Sequence, residues 1–241
     1  MLYQSFNQKF ILGSWTKVDN FLLKKIKNDS GFICLPCSLN DLSQQEKNEY
    51  KEAYKSVDYA TADGMPLVFY FRYFKKIKPV ERIYGPDLIK KILYETQENN
   101  HFFCGSTKKT IKNFKKVLKT KYPKLKAFES YSPPFSNPDS YQKRLIEKLK
   151  NNKTEILWIA LPSPKQVLLA SYIKKQLPNL NIFCVGAAFD FLSGEKKQAP
   201  IILQKSGFEW LYRLIQEPRR LGKRYLLEIP HFIINKLIKI F

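Results

Sequence analysis

The chain is short of acid: 21 aspartates and glutamates stand against 42 lysines and arginines in 241 residues, a formal net charge of +21. Histidine is scarce, with only His101 and His231, and so is cysteine, with Cys34, Cys37, Cys104 and Cys184. Two histidines far apart and a single Cys-x-x-Cys, with no second such pair, do not make a zinc-ligand pattern. Four cysteines in a chain of this length are no disulfide framework, and their spacing fits a reducing cytoplasm. Nowhere do about 18 uncharged apolar residues run together, as a membrane span requires. The opening MLYQSFNQKFILGSW lacks the basic start, long apolar run and small-residue cleavage site of a signal peptide. A cytoplasmic protein that does not cross a membrane is therefore expected.

What is present is apolar mass. The composition is 44% hydrophobic and 15% aromatic, which excludes a disordered polybasic tail. The length suffices for one substantial α/β domain with a small appendage. The positive excess predicts an anionic partner: nucleic acid, an acidic membrane surface or a phosphorylated substrate.

Short apolar runs alternate with amphipathic stretches. Strands are expected at 31–35, 59–61, 101–105, 125–131, 155–161 and 181–186. Helices are expected at 41–56 (opened by Asp41 or Ser43), 66–74, 86–98, 107–120, 139–150 and 164–176. This alternation predicts a Rossmann-like, largely parallel sheet with helices on both faces, with ligands beyond the carboxyl ends of the strands. After about residue 195 strand-like runs stop. Four of the seven arginines, Arg213, Arg219, Arg220 and Arg224, fall in the remainder. The expected division is a catalytic core over 1–195 and a helical, arginine-rich appendage over 196–241.

Several features read as ordinary structure. Cys34-Leu-Pro-Cys37 lacks the long helix that a thioredoxin-like pair opens. Cys104-Gly-Ser-Thr107 has neither P-loop nor dinucleotide spacing, although a helix start there can hold a phosphate. The run 107–126 carries nine lysines and no acid. Ile111, Phe114, Val117 and Leu118 form its apolar face, so the lysines fit a solvated face as well as an anion-binding one.

Three blocks are sharper. Ala60-Thr61-Ala62-Asp63-Gly64-Met65-Pro66 is followed nineteen residues after Asp63 by Arg82, in Glu81-Arg82-Ile83-Tyr84-Gly85-Pro86-Asp87-Leu88. An acid beside a glycine at a strand end can serve as a base, or can cap the helix that follows. Pro164-Lys165-Gln166 follows another strand. Val185-Gly186-Ala187-Ala188-Phe189-Asp190-Phe191-Leu192-Ser193-Gly194 places small residues where backbone can approach a ligand or turn tightly.

Together with EWLYRLIQEPRRLGKRYL near the C-terminus, these blocks resemble the WecG/TagA/CpsF family of bacterial glycosyltransferases (glycosyltransferase family 26) from about residue 31 to 226. The resemblance implies inverting transfer from a UDP-sugar to a polyprenyl-diphosphate-linked saccharide at the inner face of the plasma membrane, in wall teichoic acid, capsule or exopolysaccharide synthesis. It implies Asp63 as base and Arg82 on the diphosphate; taking a proton from an acceptor hydroxyl asks only for an ordinary ionised carboxylate at Asp63. It also implies a pocket involving Cys37, Gln166, Gly186, Ala187 and Asp190, with Arg213, Arg220 and Arg224 completing it over the leaving phosphate. No Asp-x-Asp pair occurs to hold a metal, so no metal or cofactor is expected and arginines carry the charge. The expected partners are the two substrates, an anionic membrane surface and, as an option, a second copy in a homo-oligomer, with no nucleic acid.

The tail adds Leu226, Leu227, Ile229, Phe232, Ile233, Ile234, Leu237, Ile238, Ile240 and Phe241 among Lys223, Arg224, Lys236 and Lys239. It reads as an interfacial membrane anchor or a packed helix, interrupted at Pro230. Many members carry Thr-Pro-Asn where this chain has Leu35-Pro36-Cys37, with Ser38 and Asn40 nearby, so the sugar is not carried over. A nucleic-acid-binding protein and a UDP-sugar hydrolase are the alternatives.

Overall fold

The computed structural model describes residues 1–28, 31–125 and 127–237. Among these, eight strands form one sheet: β1 Leu2–Ser5, β2 Gln8–Ile11, β3 Phe32–Cys37, β4 Tyr59–Ala62, β5 Asn100–Gly105, β6 Ala127–Tyr131, β7 Ile156–Ala160 and β8 Asn181–Cys184. Their order is β1-β2-β4-β3-β8-β7-β5-β6. Only the β1–β2 hairpin is antiparallel; every other pairing is parallel. The fold is α/β and Rossmann-like.

The central strands carry apolar residues on both faces because both faces are covered. Along β3 the alternation sends Ile33, Leu35 and Cys37 into one core and Phe32 and Cys34 into the other. Cys34 and Cys37, an odd number of residues apart, therefore face opposite layers and remain free thiols.

The helices through the sheet region are α1 Trp15–Lys27, α2 Leu39–Gln45, α3 Asn48–Lys55, α4 Met65–Phe69, α5 Gly85–Glu95, α6 Lys108–Lys121, α7 Gln142–Asn151, α8 Lys165–Gln176 and α9 Ala188–Leu192. Helices α2, α3, α7 and α8 bury Leu42, Tyr54, Leu145 and Ile173 on one face. Helices α1, α5, α6 and α9 bury Leu22, Ile92, Phe114 and Phe189 on the other. The single helix expected over 41–56 is two helices, because Lys47 is extended at ψ 126 between them. The cap is Ser38, not Asp41 or Ser43. Asp41 Oδ2 accepts from the Ser38 backbone N–H at 3.0 Å, and Ser38 Oγ accepts from the Asp41 N–H at 3.4 Å, completing a capping box.

Two details place the loops around the carboxyl ends. Gly105 ends β5 at φ +135, and a Cβ there would lie 2.2 Å from the Ala160 carbonyl oxygen. Only glycine lets β5 and β7 come so close. His101, on β5, is fully buried. Its Nδ1 accepts from Trp158 Nε1 at 3.1 Å and its Nε2 donates to the Thr96 carbonyl at 2.7 Å, fixing a neutral tautomer. Burial pushes this imidazole down to about 4 from 6.5. A folded value below the unfolded one contributes stability above pH 6.5 that is lost as pH falls towards 4. Urea unfolding at stepped pH should show a loss of about 3 kcal/mol over that window from this group. In a His101→Gln variant the slope should flatten.

Beyond β8 come α10 Ile201–Ser206, α11 Glu209–Gln216, α12 Pro218–Lys223 and α13 Ile229–Phe232. Pro230 does not interrupt the chain's helical course. Wider π-helical turns at Arg224–Glu228 and Ile233–Leu237 flank it and shift the hydrogen-bond register around its missing N–H. Phe232 is buried and its ring lies 6.4 Å from Phe6. Leu226, Leu227 and Ile234 remain exposed. Lys126, Ile238, Lys239, Ile240 and Phe241 lie outside the described residues. Among the described residues no helix is long and apolar enough to cross a membrane.

Candidate active site

A cavity of about 1120 Å³ opens beyond the carboxyl ends of the parallel strands, where open α/β sheets take ligands. Ser38 after β3, Asp63 after β4, Ser106 after β5, Ser132 after β6, Gln166 after β7 and Gly186 after β8 all line it. Helices α11 and α12 and the turn that follows them close the other side.

Asp63 is held by its backbone. Its N–H donates to the Cys37 carbonyl at 2.9 Å, and Gly64 turns the chain at φ +93, a conformation that suits glycine. Gly64, not Asp63, occupies the N-cap of α4, and no side chain caps that helix. Just beyond, the Ile83 N–H donates to the Ala62 carbonyl at 2.9 Å, which lays Arg82 beside Asp63. Arg82 Nε donates to Asp63 Oδ1 at 3.2 Å, and Arg82 Nη1 lies 2.7 Å from Glu209 Oε2. The guanidinium carbon sits 4.2 Å from the Tyr84 ring centroid.

These neighbours set the acidity of Asp63. Burial pushes its carboxyl up to about 6; Arg82 and Arg213 pull it down and Glu209 pushes it up. The expectation of an ordinary carboxylate is thereby corrected: burial is absent from a sequence, and here it outweighs the arginines. The side chain keeps 22% of its surface exposed, toward the cavity. Tyr84 also lines the cavity, and its buried hydroxyl has no hydrogen-bond partner among the described residues.

On the opposite wall Gln166 Oε1 accepts from the Gly186 N–H at 2.9 Å, pinning the loop that carries Gly186 (φ +58) and Ala187. Asp190 Oδ1 accepts from Ser106 Oγ at 2.5 Å, joining the loops after β5 and β8. Arg213, Arg220 and Arg224 line the same cavity. Arg220 is engaged by Glu217, whose carboxyl is held down to about 2 by that hydrogen bond and by Lys196. Among the described residues no carboxylate lies within 4.0 Å of Arg213 or Arg224, and Arg213 instead stands 5.8 Å from the Phe191 ring centroid. Two cations without ion pairs over a cavity are placed to attract an anion.

Cys37 is not on the cavity wall. It lies in the core at 1% exposure with its thiol pushed well up by burial, while its neighbours Pro36 and Ser38 face the cavity. Sequence reasoning missed two other groups. One is Glu209, whose signal was an acid opening the arginine-rich segment. The other is a knot in which Asp41 Oδ1 accepts from Ser163 Oγ at 2.6 Å and Tyr54 OH lies 2.8 Å from that same Oγ. Among the described residues no group of three or more His, Cys, Asp or Glu side chains is placed to hold a metal ion.

A doubly covered parallel sheet with a cavity over its carboxyl ends, lined by carboxylates and by arginines, defines an α/β protein with its ligand site where such sheets place one. Residues 6–241 match the family described as Glycosyl transferase WecG/TagA/CpsF family, and the chain belongs to that family of glycosyltransferases.

Proposed function

We propose that the chain moves a sugar from a UDP-sugar to a polyprenyl-diphosphate-linked saccharide, with inversion, in bacterial surface polysaccharide synthesis. The observation that carries this reading is the Asp63 carboxylate, held near 6 beside Arg82 in a cavity that Arg213, Arg220 and Arg224 also line. Asp63 takes the proton of the acceptor hydroxyl as that oxygen attacks the anomeric carbon. The bond from that carbon to the UDP oxygen breaks on the opposite face, and UDP leaves with the electron pair. Arg82 and the C-terminal arginines neutralise the charge that develops on the diphosphate, in place of a metal. A base near 6 is ionised at neutral pH yet remains a stronger proton acceptor than an ordinary aspartate.

In the same reading residues 1–195 form the catalytic core and 196–241 dock it on the inner face of the plasma membrane. Supporting the docking, Ile201, Ile202, Phe208, Ile215, Leu226 and Leu227 are exposed along the C-terminal segment, among basic residues in the sequence. Each basic residue near an anionic leaflet adds roughly 1 kcal/mol. The sugar itself is left open, since Leu35-Pro36-Cys37 replaces Thr-Pro-Asn.

The test is a screen of UDP-sugars against polyprenyl-diphosphate saccharide analogues, reading UDP release with and without EDTA. The expected outcome is release that requires an acceptor and is unchanged by EDTA. Equal release without acceptor would make the chain a hydrolase, and no release with any pair would remove the reading.

A further inference from the structure

Arg82 is shared between two carboxylates from distant parts of the chain. Its Nε edge meets Asp63 at 3.2 Å, its Nη1 meets Glu209 at 2.7 Å, and its face rests on Tyr84. Glu209 stands in the first turn of α11, a helix with no other side chain in the ion-pair chain leading to Asp63 and no fully buried residue. The Glu209 and Arg82 side chains are nonetheless 13% and 14% exposed. This ion pair is therefore the enclosed polar tie between α11 and the loop that carries Arg82.

A guanidinium is a planar fork, and two anchored edges fix its plane where one leaves it free to swing. We infer that Glu209 is a positioning residue: paired with Arg82 Nη1, it holds the guanidinium in the plane that meets Asp63. The inference rests on the reading of Asp63 as the base. The groups facing Asp63 are Arg82 and Tyr84 from the segment after the π-helical turn Tyr70–Phe74, Cys37 from β3, and Glu209 and Arg213 from α11. Burial raises both the Tyr84 hydroxyl and the Cys37 thiol, so both are neutral at pH 7. The charges acting on Asp63 are then Arg82, Arg213 and Glu209.

The experiment uses the full chain and two readouts: the titration of the Asp63 carboxyl by 13C NMR, and kcat against pH. In Glu209→Gln the titration should move down from about 6 by about one unit, because the like charge of Glu209 is lost. The kcat should fall between about ten- and a hundredfold from lost orientation, with the acid limb of the profile shifted the same way. Glu209→Asp keeps the charge but shortens the reach; its titration should stay near the wild-type value while kcat still falls. A wild-type kcat in Glu209→Gln, or an unmoved Asp63 titration, would overturn the assignment. Wild-type protein that releases no UDP from any donor would sink the transferase reading instead, and the titration would still decide the role of Glu209.

Discussion

Asp63→Asn is expected to fold, to lose about 10²- to 10⁴-fold in sugar transfer, and to be more stable than wild type above pH 6. The loss follows from removing the carboxylate assigned as the base, general-base catalysis being worth that range. The gain in stability follows from the sign of the Asp63 shift. Its folded value is raised from 3.8 to about 6, so the stability this group contributes is fully present below 3.8 and is lost as pH rises through about 6. At pH 7 to 8 the neutral amide escapes that cost, which for a shift of this size is at most about 3 kcal/mol. The lost hydrogen bond to Arg82 offsets part of it, leaving a net gain of about 1–2 kcal/mol. Denaturant midpoints of the two proteins should diverge above pH 6 and converge near pH 4. A site that costs stability in this way is what a function held at the expense of folding looks like.

Arg82→Ala should do more damage in both respects. It leaves Asp63 and Glu209 facing one another without the cation that lies within 3.2 Å of each. Removing one partner from an enclosed ion pair strands the others, and the expected cost is about 3 kcal/mol at pH 7.5. Asp63 would then be raised further, having lost the cation that pulls it down, so the deficit is largest at high pH and shrinks as the solution is acidified towards pH 4. Wild type, which keeps its cation, should show a smaller recovery over that range. Transfer should drop by about 10²- to 10³-fold, the range for losing one preorganised donor to a developing negative charge. Thermal midpoints across pH, together with kcat on the best donor, check both parts. A variant whose deficit grew on acidification would have the sign wrong.

The parallel part of the fold was legible because strands buried on both faces leave apolar runs such as Phe32–Cys37 and Ile156–Ala160 in the sequence. The N-terminal hairpin was not. Its turn places Phe6 and Asn7 at φ 51 and 54, where an Asn-Gly or Asp-Gly pair is the usual signal. Phe6 accepts that conformation while its ring packs 5.0 Å from Tyr70 and 6.4 Å from Phe232, which are contacts no local pattern carries. Helix α1 follows the ordinary spacing of Val18, Leu22 and Ile26 and was readable in principle.

In the cavity, Asp63, Arg82, Gln166 and the C-terminal arginines were found through motifs. The partners that tune them were not. Ser163 and Asp41 meet across 122 residues, and Glu209 reaches Arg82 only once α11 folds back over the sheet. The same reason hid the acidity of Asp63, since burial is a property of the assembled cavity. Cys37 was misplaced by one step of strand alternation, which decides between cavity and core.

The most direct measurement is acceptor-dependent UDP release by wild type and Asp63→Asn side by side at pH 7.5, with circular dichroism on both. The expected result is turnover by wild type only when the lipid-linked acceptor is present, and at least about a hundredfold less by a variant with an unchanged spectrum. Equal release by the two proteins, or release by wild type that ignores the acceptor, would contradict a transferase built around Asp63.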